Sequence, residues 1–184
     1  MGQLDLQRAC DHLNQGHVIA YPTEAVWGLG CDPYNHGAVK RIFAIKQRSP
    51  EKGLILVAAS MEQLKPLLDP LSESQLKQLR STWPGPITWL IPDSKKLIPG
   101  WIKGSHDSVA VRVSAHPLIR ALCTQFENPL VSTSANLSGE PTLREPQELQ
   151  QKFAGKVDFI VKGELGTGIA PSEIRDLCTG QLIR

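Results

Sequence analysis

Paired cysteines are missing from this chain of 184 residues: Cys10, Cys31, Cys123 and Cys178 stand far apart, with no C-x-x-C among them. Such spacing supplies neither a zinc cluster nor a disulfide framework, and reduced thiols are expected. Long apolar runs are missing too. Nothing approaches the roughly 18 apolar residues of a membrane span. The opening MGQLDLQRACDHL carries early charge and no apolar core of the signal-peptide kind, and Leu6 stands where N-acylation needs Ser or Thr. A soluble, cytoplasmic protein without membrane association is the expectation. Charge of one sign is scarce: a formal net charge of +2 permits RNA contact without arguing for it. Familiar signatures are absent as well. There is no G-x-x-x-x-G-K-[ST] phosphate loop, no G-x-S-x-G elbow and no H-E-x-x-H, and GELGTG has its glycines in the wrong order for a dinucleotide fingerprint. The five histidines share no ligand spacing, so no protein-held metal is expected.

What is present is core: 41% of residues are hydrophobic, enough for one domain over residues 1–184. Leu6, Ala9, Cys10 and Leu13 recur at helical spacing before Gly16, and HVIAYP follows as a strand. AVKRIFAIKQR sets Val39, Ile42 and Phe43 on one face of a helix ending near Lys46, and GLILVAAS reads as a strand covered on both faces. Ser60 with Gln63, and Ser72 with Gln75, have capping-box spacing and predict helices over 61–68 and 73–82, the second broken by WPGP. ITWLIP, SVAVRVS and PLVSTSA read as strands, His116-Pro117 opens a helix through Phe126, and Glu145 to Phe153 is another helix. DFIVKG reads as a strand and EIRDLCTGQLIR as a hairpin turning at Thr179-Gly180. The interleaving predicts an α/β fold: an open, twisted, mixed sheet of parallel and antiparallel strands with flanking helices. Residues 91–108 form the longest irregular stretch, a length usually functional or mobile.

Several stretches carry more polar groups than a scaffold needs. KQRSPEKG gathers Lys46, Arg48 and Lys52 at a helix end, where cations complement the helix dipole or bind an anion. LVSTSANLSGEPT places Ser132, Thr133, Ser134, Asn136 and Ser138 after an apolar strand, as a capped loop or a binding loop. Thr23 and Glu24 end the strand in YPTEAVWGLG, and Ser172 closes a glycine-rich loop. Together these place hydroxyls and cations at several strand ends, where α/β sheets bind anionic ligands beyond the strand termini.

In this order, YPTEAVWGLG, KQRSPEKGLIL, WPGPITWL, DSVAVRV, PLVSTSANLSG and PSEIRD resemble the YrdC-like family, the threonylcarbamoyl-AMP synthases of tRNA modification, in its short bacterial form. The resemblance spans nearly the whole chain. It implies a YrdC-like fold and a nucleotidyltransferase that joins L-threonine, bicarbonate or CO2, and ATP into threonylcarbamoyl-AMP and diphosphate. Partner proteins would then carry the threonylcarbamoyl group to adenosine 37 of tRNAs reading codons that begin with A. By the same resemblance Lys46, Arg48, Ser134 and Asn136 are catalytic and hold ATP together with Ser108 and Thr142. Thr23, Arg112, Ser132 and Ser172 hold L-threonine, with Arg112 on its carboxylate. ATP is a substrate, and Mg²⁺ would be held largely by its phosphates. Trp27 is expected to pack behind a tight turn at Val26-Trp27-Gly28, and GELGTGIAPS, residues 163–172, is a candidate lid or a plain surface loop.

The chain departs from many relatives at Ala25, Trp27 and Glu173, where Thr, Tyr and Thr are usual, and at Lys52-Gly53, where a Lys-Pro pair is usual and the lysine remains. Glu173 puts a negative charge beside the expected site. The alternative reading is a non-catalytic module for tRNA, double-stranded RNA or rRNA, its phosphates met by Lys40, Arg41, Lys46, Arg48, Lys52, Lys95, Lys96 and Lys103.

Overall fold

The computed structural model describes residues 3–168 and 172–184. Helix α1 (Gln3–Asn14) turns Ala9, Cys10 and Leu13 inward at helical spacing and ends before Gly16. Strands β1 (Ile19–Pro22) and β2 (Trp27–Gly30) form a hairpin around residues 23–26. Helix α2 (His36–Lys46) starts on Asn35, whose side chain accepts from Ala38 N, and buries Val39, Ile42 and Phe43 as the periodicity requires. Strand β3 (Ile55–Ala58), helices α3 (Lys65–Leu68) and α4 (Glu73–Thr82), and strand β4 (Ile87–Pro92) follow. Helix α5 (Gly100–Lys103) leads into strand β5 (Ser108–Val113), helix α6 (Pro117–Phe126) and strand β6 (Leu130–Ser134). Helix α7 (Pro146–Phe153), strand β7 (Phe159–Ile160) and strand β8 (Glu173–Asp176) complete the described elements.

The strands form one sheet in the order β7-β1-β2-β6-β3-β5-β4-β8. Pairs β1–β7, β3–β5 and β4–β8 are parallel, and β1–β2, β2–β6, β3–β6 and β4–β5 are antiparallel, so the sheet is mixed as the sequence predicts. Period-two alternation puts Leu56 and Ala58 of β3 in one apolar cluster and Val57 in another on the opposite face. Burial on both faces explains the unbroken apolar run that marks this strand.

Four expectations change. The pair Ser72–Gln75 forms the capping box, with Ser72 Oγ and Gln75 Oε1 satisfying each other's backbone N–H groups. Ser60–Gln63 does not: Gln63 Oε1 instead accepts from Ala59 N at 2.7 Å, and its amide donates to the Cys123 carbonyl, so the side chain ties β3 to α6. A short 3₁₀ turn over Glu62–Leu64 and the single-turn α3 stand where one helix over 61–68 is predicted. The turn behind Thr23 lies at residues 23–26, closed by Thr23 N to the Val26 carbonyl at 3.1 Å, while Trp27 and Gly28 belong to β2. DFIVKG contributes only the two residues of β7. The C-terminal segment does return along β8, bridging Arg175 to Leu182.

Candidate active site

The register supplies a floor. Ser132 pairs with Ile55, Ile55 with Ala110 and Ala110 with Leu90, one row across β6, β3, β5 and β4, and all four residues line a cavity of about 520 Å³. The cavity thus lies over the face of the sheet, not beyond its strand termini. All ten expected site residues line it: Thr23, Lys46, Arg48, Ser108 and Arg112, and Ser132, Ser134, Asn136, Thr142 and Ser172. Lys52, Lys103, His106 and the C-terminal Arg184 line it as well, while no Asp or Glu is among its described lining residues.

Lys46 is only 3% exposed, and its ammonium reaches back to β6. Nζ donates to the Ser134 carbonyl, to the Asn136 carbonyl at 2.8 Å and to Asn136 Oδ1 at 3.1 Å. Ser134 Oγ donates to the same Oδ1 at 2.6 Å, Asn136 Nδ2 donates to the Glu140 carbonyl at 2.6 Å, and Ser138 N bonds the Lys46 carbonyl at 2.9 Å. The polar loop after β6 is therefore pinned to the end of α2 by one cation. Burial, with the neighbouring charge of Arg48, pushes the Lys46 pKa down from 10.5 to about 8. Three oxygen acceptors favour the ammonium form, and at pH 7 it is charged.

Arg48 Nη2 donates to the Gly53 carbonyl at 3.1 Å, and its Nε is buried without a partner among the described residues. Burial and then the charge of Arg184 lower its pKa, and burial lowers that of Arg184. Two guanidiniums within electrostatic reach of each other, with no Asp or Glu among the described lining residues, are what a polyanion would neutralise. Gly53 explains one departure from the family pattern: its φ is 58°, closed to proline, and a Cβ there would lie 2.8 Å from the Lys103 carbonyl oxygen.

At the other end of the cavity hydroxyls converge. Thr23 Oγ1 donates to the Val26 carbonyl at 2.7 Å, which fixes it at the β1–β2 turn. The fully buried phenol of Tyr21, whose pKa burial pushes well up, donates to the carbonyl of Val131 beside Ser132 at 3.4 Å, and Ser172 Oγ lies 2.9 Å from Thr88 Oγ1. Arg112, 7% exposed, is ion-paired with Glu24, its Nη1 2.7 Å from Oε1. Burial works to raise the Glu24 pKa, but the Arg112 charge and hydrogen bonds from Arg112 and Ser114 outweigh it, and the carboxyl is held below 4.5. Glu173 does not line the cavity: it pairs with Arg175 at 2.7 Å and is exposed between the lining residues Ser172 and Ile174. Trp27 packs with Leu149 and Phe153, its indole N–H donating to the Arg144 carbonyl.

The segment read as a candidate lid is anchored where it is described. Gly166 N donates to the Thr23 carbonyl at 2.9 Å and Gly168 N to the Glu24 carbonyl at 2.8 Å, while residues 169–171 lie outside the described residues. Sequence reasoning passed over Lys103, His106 and Arg184 as parts of this cavity. Lys103 is positioned by Asp93, 2.8 Å away, which also accepts from Leu97 N and Ile98 N and so orders the long 91–108 stretch around α5. Among the described residues no cluster of three His, Cys, Asp or Glu could hold a metal, and no helix is long and apolar enough to cross a membrane.

A protein-family model named Sua5_yciO_yrdC and described as "Telomere recombination" matches residues 11–184. A Pseudomonas aeruginosa protein named threonylcarbamoyl-AMP synthase is 53% identical over 178 residues, 97% of this chain and 95% of the relative. A Coxiella burnetii protein of the same name is 50% identical over 172 residues, 94% of this chain and 92% of the relative. Among solved structures, P. abyssi Sua5 complexed with L-threonine superposes with a TM-score of 0.92 at 34% identity over 100% of this chain. The chain spans 54% of that protein's length. E. coli YciO superposes at 0.87 with 26% identity, covering 100% of this chain and 89% of its own.

Proposed function

The chain belongs to the Sua5/YciO/YrdC family, and from that premise we propose that it makes threonylcarbamoyl-AMP and diphosphate from L-threonine, bicarbonate or CO2, and ATP. The whole chain, 1–184, would act as one domain in the cytoplasm. Its product would pass to partner proteins that modify adenosine 37 of tRNAs reading codons beginning with A. The observation that carries the reading is the cavity: cations and hydroxyls from distant segments meet over one sheet face with no acidic side chain among the described lining.

The chemistry requires a threonine carbamate oxygen to attack the α-phosphorus of ATP, so two anions must be held together against their repulsion. Lys46 and Arg48 would offset that charge, Lys46 through the Ser134–Asn136 loop it orders and Arg48 through its planar fork. Ser108 and Thr142 would complete the nucleotide side. Arg112 would take the threonine carboxylate, with Thr23, Ser132 and Ser172 bonding its remaining polar groups. A threonine hydroxyl buried against such partners rejects analogues lacking it, because each unpaired buried group costs about 1–3 kcal/mol. With no acidic ligand in the described lining, Mg²⁺ would enter on the triphosphate, where it would offset phosphate charge.

An RNA-binding role would have to rest on the remaining cations. Arg41 is paired with Asp158 at 2.7 Å, and Lys46, Arg48, Lys52 and Lys103 line the cavity, which leaves Lys40, Lys95 and Lys96 on the surface. The deciding assay is diphosphate release with ATP, bicarbonate and each amino acid in turn, with the product identified by mass spectrometry. Release that depends on threonine and an adenylate of the expected mass are the expected result. Release indifferent to threonine, or none, rejects the proposal.

A further inference from the structure

Arg112 does not meet the cavity alone. Its guanidinium is held from behind by Glu24, which is not itself a lining residue. Glu24 Oε1 takes two donors at once, Arg112 Nη1 at 2.7 Å and Ser114 Oγ at 2.6 Å. Ser114 is fully buried, and its oxygen accepts from His116 N at 3.1 Å, which directs its proton to the carboxylate. The Glu24 backbone is fixed too, its carbonyl accepting from Gly168 N at 2.8 Å. Among the described residues Glu24 Oε2 and Arg112 Nε are both buried and both lack a partner, so the Oε1–Nη1 contact is the one that ties the guanidinium to the carboxylate.

We infer that Glu24 is the positioning residue of the threonine subsite: it grips one edge of Arg112 and thereby orients the guanidinium toward a substrate carboxylate. The inference rests on the proposed role of Arg112. Its chemical basis is that bidentate carboxylate recognition by arginine depends on the angle of a rigid fork, so a group that fixes the angle governs affinity without touching the ligand. Glu24 and Thr23 are neighbours on one turn, so the hydroxyl that lines the site and the carboxylate that sets its cation are placed by the same four-residue connection.

Glutamine at position 24 separates geometry from charge. Its amide oxygen can accept from both Arg112 and Ser114 as Oε1 does, and its NH₂ replaces an oxygen that has no partner among the described residues. The test measures KM for threonine and for ATP separately, and kcat, by diphosphate release, with circular dichroism confirming that each variant is folded. Glu24→Ala is expected to raise threonine KM at least about tenfold with ATP KM within about twofold, Glu24→Gln to return threonine KM to within about threefold of the wild type, and Ser114→Ala to raise it by about threefold. The inference is overturned if Glu24→Ala leaves threonine KM within twofold, if both KM values rise together, or if Glu24→Gln is as impaired as Glu24→Ala. Should the wild type itself release no diphosphate with threonine, the proposed function has failed, an outcome distinct from these.

Discussion

Raising the pH should make this protein more stable and less active across the same interval, because of one lysine. Lys46 has a pKa of about 8 in the folded chain against an ordinary 10.5. Below pH 8 the group is protonated folded or unfolded, and folding bears the full cost of burying its charge. Between 8 and 10.5 the unfolded chain binds more protons than the folded one, so stability rises with pH, and above 10.5 the gain is complete. The difference corresponds to at most about 3 kcal/mol, and water and salt in the cavity reduce the expected gain to about 1–2 kcal/mol. Deprotonation also removes the charge that orders the Ser134–Asn136 loop and is proposed to offset the phosphates, so kcat/KM for ATP should fall about tenfold per pH unit above pH 8, while kcat, measured with triphosphate bound, should fall at higher pH. Urea denaturation of the wild type and of Lys46→Met at pH 7 to 10 measures the first effect, as the difference between the two proteins. Diphosphate release over the same range measures the second. A wild-type stability that stays flat or falls relative to that of Lys46→Met as pH rises, or a kcat/KM that holds level to pH 9.5, would refute the reasoning.

Two further predictions follow from the packing around the cavity. Asp93→Ala removes the partner of Lys103 and the acceptor of two backbone N–H groups, and is expected to cost about 3–5 kcal/mol of stability in urea titration. Burial opposes ionisation of Asp93, but its hydrogen bonds and the Lys103 charge outweigh it and hold the pKa below 3.8, so its contribution is present above that pH and fades as the medium is acidified through the lower folded value. Gly168→Ala adds a Cβ 2.8 Å from the Glu24 carbonyl oxygen and should destabilise by about 1–3 kcal/mol while raising threonine KM, both measurable in one purified variant.

Elements held by local patterns were legible in the sequence. The face of α2, the capping box of α4 and the doubly buried β3 all follow from spacing that depends on few distant contacts. Strand β2 was not legible, because W-G-L-G has poor strand propensity and its glycines answer to tertiary neighbours: a Cβ at Gly30 would sit 2.6 Å from the Tyr21 ring and from the Val131 carbonyl oxygen. The Ser60–Gln63 spacing misled because the Gln63 side chain has better acceptors and donors across the fold than at its own helix end. The ten expected site residues came from ordered motifs, and they do line one cavity. Arg184 escaped since its position depends on the return of the last residues along β8, where Ile174 N meets the Arg184 carbonyl at 2.9 Å. The Glu24–Arg112 pair spans 88 residues of chain and has no local signal at all.

Lys46, Arg48, Lys52 and Arg184 border the cavity, and among the described residues none of them has an ion-pair partner. Crowding like charges costs folding free energy, and an incoming polyanion refunds it by mass action, worth about 2.7 kcal/mol at a hundredfold excess over its dissociation constant. Nucleotide would then serve the chain twice, as reactant and as a folding ligand, and the half-life of this protein in a cell would track the local supply of triphosphate.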